Sequence, residues 1–164
     1  MREPLVSQAT LLERVLPALE NHGAVYRKFQ CVLARSAIAG EVVVSMPSDG
    51  RETSNVARDG DYVVMNLTKA RELYVVRGGT FRERYELDEP SHAWSRYRPL
   101  GRVRALEVGD VLLTHLAVRS PFYIEPSWQE PQLVVLGDYL VCPLGANEIY
   151  RIARQEFGET YERS

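Results

Sequence analysis

The chain has 164 residues, of which 45% are hydrophobic, and its 20 basic and 22 acidic side chains leave a net charge of −2. This near-neutral balance argues against an extended nucleic-acid surface and against attraction to an anionic membrane. No apolar run approaches the roughly 20 residues of a membrane-spanning helix, and the first residues lack a signal peptide's apolar core, so a cytoplasmic location is expected. Cys31 and Cys142 lie in apolar, strand-like runs, which favours free thiols in a reducing compartment, with a disulfide as the alternative.

Residues 1–23 are predicted to contain a helix that lies outside the pattern of the rest of the chain. Ser7 can cap the start of this helix, Pro17 can kink it, and Gly23 can end it. Its apolar residues recur at the helical period and form one stripe. The stripe consists of Leu11, Leu12, Val15, Leu16 and Leu19. We expect it to cover the core, with docking onto a partner or a second copy as the alternative.

Residues 24–88 form the first of two predicted units of short strands. Asp-Gly pairs at 49–50 and 59–60 supply the positive φ angles that tight turns require. The predicted strands are 26–34, 41–46, 62–66 and 73–76, and a helical turn is predicted at 80–85.

A linker at residues 89–94 leads to the second predicted unit, residues 95–164. Its predicted strands are 97–106, 111–116, 139–142 and 149–152, with a last turn at 154–161. Because about four short strands are barely a domain alone, we expect the two units to share one core. The predicted fold class is α+β and mainly β, with two pseudo-symmetric small antiparallel sheets and an N-terminal helix.

The two units repeat one sequence pattern in the same order. Gly-Asp-Tyr-Val-Val at residues 60–64 returns as Gly-Asp-Tyr-Leu-Val at residues 137–141. The other matched residues are Tyr26 and Tyr97, Tyr74 and Tyr150, Phe81 and Phe157, and Tyr85 and Tyr161. Chance produces a single short match easily but seldom an ordered series, so the pattern indicates an internal duplication.

The repeated pattern resembles a family of small bacterial and phage proteins that carry a Pro-Gly-Asp-Tyr motif and are called PGDYG-like. Tyr-Arg-Lys at residues 26–28 and Phe-Gly-Glu-Thr-Tyr-Glu at residues 157–162 are similar to the two ends of that family's unit. Asp59 and Leu136 stand where the family motif has proline. The resemblance implies a duplicated small module and a bacterial or phage origin, and it implies no particular activity.

The repeated acids Asp61 and Asp138 are candidates for acid–base or metal chemistry. We favour a structural role, because an aspartate that follows glycine at a strand entrance commonly stabilises the turn through backbone hydrogen bonds. The repeated tyrosines likewise suit a core better than a ring-binding site. His22, His92 and His115 have no partner at ligand spacing in the sequence, so no metal site is expected.

Four arginines form the best predicted ligand-binding site. They are Arg96, Arg98, Arg102 and Arg104. On one continuous strand these even-numbered residues share a face with Trp94. Such a face suits a phosphate or a nucleotide, with Trp94 or Trp128 to stack on a ring. Arg27 matches one of these arginines in the first unit, and the alternative is a solvated face paired with acidic residues.

These features favour a non-catalytic binding protein that recognises a protein partner or an anionic small ligand, with no catalytic residue, metal or cofactor. The alternative is an enzyme for a phosphorylated or nucleotide substrate, with the arginine strand as anion clamp and Asp61 or Asp138 as base. A third hypothesis is a subunit, or a homo-oligomer, that docks through its N-terminal helix.

Overall fold

The computed structural model of this protein describes residues 3–126 and 130–164. The described residues form a mainly β structure of the α+β class with an N-terminal helix and several small antiparallel sheets, which confirms the predicted class. The helices are α1 (Gln8–His22), α2 (Gly78–Arg84), α3 (Asp110–Leu116) and α4 (Arg154–Thr160). Within the same described ranges, no helix is long and apolar enough to cross a membrane.

The strands are short, and most of them belong to two five-stranded sheets. The first eight are β1 (Leu5–Val6), β2 (Ala24–Lys28), β3 (Val32–Ser36), β4 (Val42–Ser45), β5 (Thr53–Val56), β6 (Tyr62–Asn66), β7 (Leu73–Val76) and β8 (Tyr85–Glu89). The others are β9 (Ser95–Pro99), β10 (Arg102–Glu107), β11 (Phe122–Ile124), β12 (Gln132–Val134), β13 (Tyr139–Pro143), β14 (Tyr150–Ile152) and β15 (Tyr161–Arg163).

Helix α1 matches its prediction in position and in the face that it buries. The Ser7 side chain accepts a hydrogen bond from the backbone N–H of Thr10 at the N-terminus, and Pro17 lies inside the helix. The stripe residues Val15 and Leu19 are fully buried. This stripe therefore packs into a core instead of offering an exposed docking face.

Three stretches of the strand prediction are wrong. Residues 111–116 belong to α3 and not to a strand, because Leu112 and Leu116 recur at helical spacing and are both buried. Each long predicted strand, 26–34 and 97–106, is also two strands separated by a short break. Pro99 ends β9, since proline has no backbone N–H to donate to a strand ladder.

The two five-stranded sheets have corresponding strand orders. One sheet has the order β7-β6-β3-β9-β8, and the other has the order β14-β13-β10-β2-β15. Strand β9 lies in the second predicted unit of the sequence but pairs with β3 and β8. Strand β2 lies in the first predicted unit but pairs with β10. Each predicted unit therefore contributes its first strand to the sheet that the other predicted unit builds.

The chain consequently divides into two compact units whose boundaries differ from those of the sequence repeats. The first compact unit comprises the described residues within Met1–Arg27, Arg102–Gly158 and Arg163–Ser164. The second compact unit comprises Lys28–Gly101 and Glu159–Glu162. Each compact unit contains segments from both sides of the predicted linker at 89–94.

Each compact unit has its own apolar core. In the first, α1 and α3 pack with β10 to β13; the largest fully buried side chains here are Phe122, Leu11, Leu19, Leu112, Leu116, Ile124, Leu140 and Ile149. In the second, a smaller core surrounds Phe81 and includes Val32, Ala34, Val64, Val76 and Tyr85. The remaining small sheets are β1-β11-β12, in which β1 pairs in parallel with β11, and the hairpin β4-β5.

Cleavage of the linker should leave the two halves of the chain together. Residues 90–93 are exposed, so an engineered protease site there can be cut in the folded protein. We expect both fragments to elute as one species in native size-exclusion chromatography, because every compact unit contains strands from both fragments. Separation of the fragments without denaturant would contradict the strand pairing of β2 with β10 and of β9 with β3.

Candidate functional site

The first Gly-Asp-Tyr motif forms a tight corner at the start of β6. Gly60 has a φ of +84°, in the left-handed region that glycine adopts most readily. The buried carboxylate of Asp61 accepts a hydrogen bond from the backbone N–H of Arg58 at 2.8 Å. It also forms an ion pair with Arg77. Asp61 therefore closes the turn and bonds to the end of the neighbouring strand.

The second motif forms the same kind of corner at the start of β13. Gly137 has a φ of +90°. The buried carboxylate of Asp138 accepts from the backbone N–H of Val135 at 3.0 Å and from Arg151 Nε at 2.9 Å. Both repeated aspartates are thus held by an arginine and by the backbone of their own turn. This geometry favours the structural interpretation of Asp61 and Asp138 over a role as catalytic base.

The motif tyrosines stack on phenylalanine in the two compact units with closely similar geometry. Tyr62 stacks on Phe81 with ring centroids 4.1 Å apart, and Tyr97 of β9 meets the same ring edge-on at 4.8 Å. In the first compact unit Tyr139 stacks on Phe157 at 3.9 Å, and Tyr26 of β2 meets that ring edge-on at 4.9 Å. The aromatic residues thus build cores, as the sequence favoured, and burial raises the pKa of Tyr97 and of Tyr139.

The second compact unit also contains a polar cluster around Lys28 that sequence reasoning did not identify. Lys28 Nζ donates to the hydroxyl of Tyr85 at 2.7 Å, to the hydroxyl of Tyr74 at 3.1 Å and to Asn66 Oδ1 at 3.2 Å. Asn66 in turn donates to the buried carboxylate of Glu72 at 2.6 Å. The one available signal was that lysine is rare in this chain, with only two against eighteen arginines.

The Lys28 ammonium changes the acidity of its tyrosine partner. Burial by itself would raise the pKa of Tyr85, but the charge of Lys28, its hydrogen bond and the hydrogen bond with Tyr74 together lower that pKa. A lysine with three donor positions and three oxygen acceptors is well satisfied. The cluster therefore holds residues of β2, β6, β7 and β8 around one charge, and it lowers the pKa of the buried Tyr85 hydroxyl.

The four predicted site arginines do not lie on one strand. Arg96 and Arg98 belong to β9 in the second compact unit, whereas Arg102 and Arg104 belong to β10 in the first. The expectation of a continuous arginine face is therefore wrong. The break occurs at residues 99–101, where proline ends the ladder of β9.

Arg96 and Arg98 are paired with carboxylates across the neighbouring strand. Arg98 Nε donates to Glu86 Oε1 at 2.8 Å, and Glu86 lies directly opposite in the register of β8 and β9. Arg96 Nε lies 3.3 Å from Asp88 Oδ2. The pKa of Arg98 is raised chiefly by Glu86, and that of Arg96 chiefly by a hydrogen bond to the Cys31 thiol. These two arginines match the alternative of a solvated, paired face.

Arg102 and Arg104 differ, because neither has a side-chain hydrogen bond or ion pair with any residue in the described part of the chain. Arg102 is exposed and lies opposite Arg27 in the register of β2 and β10. Arg104 is half-buried and lies opposite Val25 on one side and Cys142 on the other. We call Arg27, Arg102 and Arg104 the basic face of β2 and β10. The register places these three residues on one side of adjacent strands.

Trp94 contacts an arginine that is not one of the four predicted site arginines. Trp94 lies in the second compact unit, where the Arg35 guanidinium sits 5.1 Å from its ring centroid. Trp128 lies outside the described residues. Arg35 also forms a two-bond ion pair with Glu41, at 2.8 and 2.9 Å. The sequence predicted that Trp94 shares the arginine face and stacks on the ring of a ligand, whereas in the structure the Trp94 ring contacts Arg35.

The pKa of Glu41 should lie far below that of an ordinary glutamate. Hydrogen bonds from Arg35 and from the backbone N–H of Ile38 lower its pKa from 4.5 to about 2. Because this pKa is depressed in the folded state, the ion pair stabilises the fold fully above about pH 4.5, and the contribution disappears as the pH falls through about 2. Carboxyl chemical shifts followed against pH by NMR should show a midpoint near 2 for Glu41, which Arg35→Ala returns towards 4.5. A wild-type midpoint near 4.5 would contradict the pairing.

Both cysteines are free thiols, which agrees with the favoured sequence interpretation. Among the described residues, no group of three or more histidine, cysteine, aspartate or glutamate side chains is arranged to hold a metal ion. Comparison with protein-family models, with curated proteins and with solved structures finds no match for this chain.

Proposed function

We propose that this protein is a non-catalytic binding protein that recognises an anionic small ligand through the basic face of β2 and β10. The single observation that carries this proposal is the contrast between two pairs of arginines. Arg96 and Arg98 are neutralised by Asp88 and Glu86. The pair Arg102 and Arg104 has no carboxylate partner in the described ranges.

The guanidinium groups of Arg102 and Arg104, which have no carboxylate partner in the described ranges, repel each other, and an anion relieves that repulsion. Residues directly opposite each other on antiparallel strands have Cβ atoms about 5 Å apart, which applies to Arg27 and Arg102. Arg104 follows Arg102 on the same side of the strand. Guanidinium groups at this spacing can converge on one phosphoryl or carboxylate group, to which arginine binds with two parallel hydrogen bonds.

A thermal-shift panel tests this function directly. The ligands are inorganic phosphate, pyrophosphate, nucleotides, cyclic nucleotides and polyphosphate at low salt, where charge attraction is least screened. A ligand at about 100 times its dissociation constant adds roughly 2.7 kcal/mol to the free energy of unfolding. We expect at least one anion to raise the melting temperature, and Arg102→Ala/Arg104→Ala to abolish the shift.

The matched control is Arg96→Ala/Arg98→Ala, which removes the same number of positive charges from the same chain. We expect this control to retain the ligand-dependent shift, because those arginines are already occupied by acidic residues. Equal loss of the shift in both double variants would indicate attraction to overall charge and not a site. No shift with any anion would remove the small-ligand proposal and favour a protein partner.

The same proposal includes the family of the protein, its internal duplication and its cellular location. We place the chain with the PGDYG-like proteins of bacteria and phages and regard it as a duplicated module. The similar corners at Asp61 and Asp138 and the similar aromatic stacks support the duplication. The free thiols Cys31 and Cys142 support a reducing, cytoplasmic location.

A second candidate function is an enzyme that acts on a phosphorylated or nucleotide substrate. The observation in its favour is the pairing of Lys28 with Tyr85, since a lowered pKa suits a hydroxyl that exchanges a proton with a substrate. The aspartates are weaker base candidates because both are engaged by arginine. Phosphorus NMR of the same compounds during long incubation tests this function, with Tyr85→Phe as the variant. Turnover that depends on Tyr85 would favour the enzyme over the binding protein.

A further inference from the structure

Two histidines that are far apart in the sequence meet on the surface of the first compact unit. His22 is the last residue of α1, and His115 lies in the last turn of α3. Their ring centroids are 5.4 Å apart, with an angle of 65° between the ring planes. Both residues are exposed. The sequence places no two histidines at ligand spacing, and it is the tertiary structure that brings this pair together.

The tautomer of His115 is determined by its hydrogen bond. Its Nδ1 lies 2.9 Å from the carbonyl oxygen of Val111. A carbonyl oxygen only accepts hydrogen bonds, so Nδ1 carries the proton and Nε2 keeps its lone pair in the neutral ring. A metal-binding histidine typically donates its other ring N–H to a carbonyl or carboxylate in this way. His115 is thus already oriented as an Nε2 ligand by a backbone group of its own helix.

The separation of the two rings also suits a shared metal ion. Zinc binds imidazole nitrogen at about 2.0–2.1 Å, which places two ring centres of a tetrahedral site roughly 5 Å apart. The observed 5.4 Å matches that separation. In the described part of the chain, no third ionisable ligand completes a protein-only metal cluster. The remaining coordination positions would hold water.

We propose that His22 and His115 form a two-histidine surface site for a divalent transition metal ion that favours imidazole nitrogen, with Cu²⁺ bound more tightly than Zn²⁺. The order follows from the general affinity series of divalent ions for nitrogen ligands. His22 lies at the C-terminal end of α1 and His115 lies in α3, so a bound ion would link two helices of the same core. It is separate from the basic face of β2 and β10 and binds ions of the opposite charge.

Titration with copper sulfate in a buffer that does not bind metal tests the site. Isothermal titration calorimetry gives the affinity and stoichiometry, and electron paramagnetic resonance detects nitrogen atoms bound to Cu²⁺. We expect one tight site per chain with two imidazole nitrogens. His22→Gln and His115→Gln should each weaken Cu²⁺ binding by at least about tenfold.

His92→Gln is the matched control, because His92 is the third histidine of the chain and lies exposed within the predicted linker. We expect it to leave Cu²⁺ affinity unchanged. Equal weakening by all three variants, or unchanged binding in His22→Gln and His115→Gln, would overturn the paired site and leave only adventitious binding to single histidines. A spectrum with a single nitrogen ligand at one equivalent of Cu²⁺ would overturn it as well. Circular dichroism of each variant verifies that the fold is intact.

Discussion

Replacing Asp138 by alanine is expected to lower the free energy of unfolding by about 3 kcal/mol or more. The Asp138 and Arg151 side chains are only 4% and 7% exposed. Removal of the carboxylate leaves the guanidinium in a poorly hydrated position without this counter-charge, and the backbone N–H of Val135 loses its acceptor. Urea denaturation followed by circular dichroism measures the change as a shift of the unfolding midpoint at constant slope.

Asp61→Ala is the matched control for this variant. Asp61 occupies the equivalent corner, but its partner Arg77 is 24% exposed and can be hydrated once the carboxylate is gone. Asp61→Ala should therefore lower the free energy of unfolding by clearly less than Asp138→Ala does. If the two substitutions lower the free energy of unfolding equally, burial of the arginine does not determine the loss of stability, and our explanation of the corner is wrong.

Phe81→Ala is expected to cost about 3–5 kcal/mol of stability. The Phe81 ring is 1% exposed and lies at the centre of an aromatic group formed by Tyr62, Tyr85 and Tyr97. Its removal leaves a cavity that three rings on strands cannot easily fill, and it also removes their stacking partner. The same denaturation experiment measures the loss, and the near-ultraviolet circular dichroism of the tyrosines should weaken with it.

Phe29→Ala controls for the loss of a phenylalanine as such, because Phe29 is 45% exposed. Substitutions at exposed positions usually change stability by less than about 0.5 kcal/mol. We expect a correspondingly small effect at Phe29. A loss at Phe81 of less than about 1.5 kcal/mol would mean that the tyrosine rings close over the cavity.

The two compact units are alike at their Gly-Asp-Tyr corners but differ between the corresponding strands β3 and β10. The Gly-Asp-Tyr corners and the phenylalanine stacks have nearly the same geometry in both. The residues of β3 and β10 differ, since Cys31 and Leu33 stand in the sequence where the second predicted unit has Arg102 and Arg104. On the proposed function, the corners provide the scaffold, and β10 carries the ligand specificity.

Local patterns were enough to predict α1 and the strands that carry the Gly-Asp-Tyr motifs. Helical spacing of leucines and a serine cap define α1, and a short continuous apolar run after a glycine turn defines β6 and β13. Residues 111–116 were predicted wrongly because a short apolar run fits a buried strand and a buried helix equally well. The break between β9 and β10 was missed because the even-numbered arginines suggested one continuous strand.

The strand-rich character of this protein, its capped N-terminal helix and its two similar aspartate corners follow from the amino-acid sequence, because they depend on residues that are near neighbours in the chain. The pairing of the strands became clear only from the three-dimensional fold. The fold placed β2 beside β10 and β9 beside β3. It also separated the four arginines into two sheets, gathered Tyr74 and Tyr85 around Lys28, and brought His22 to His115. Such pairings depend on burial and register between segments far apart in the chain, which local propensity and spacing do not encode.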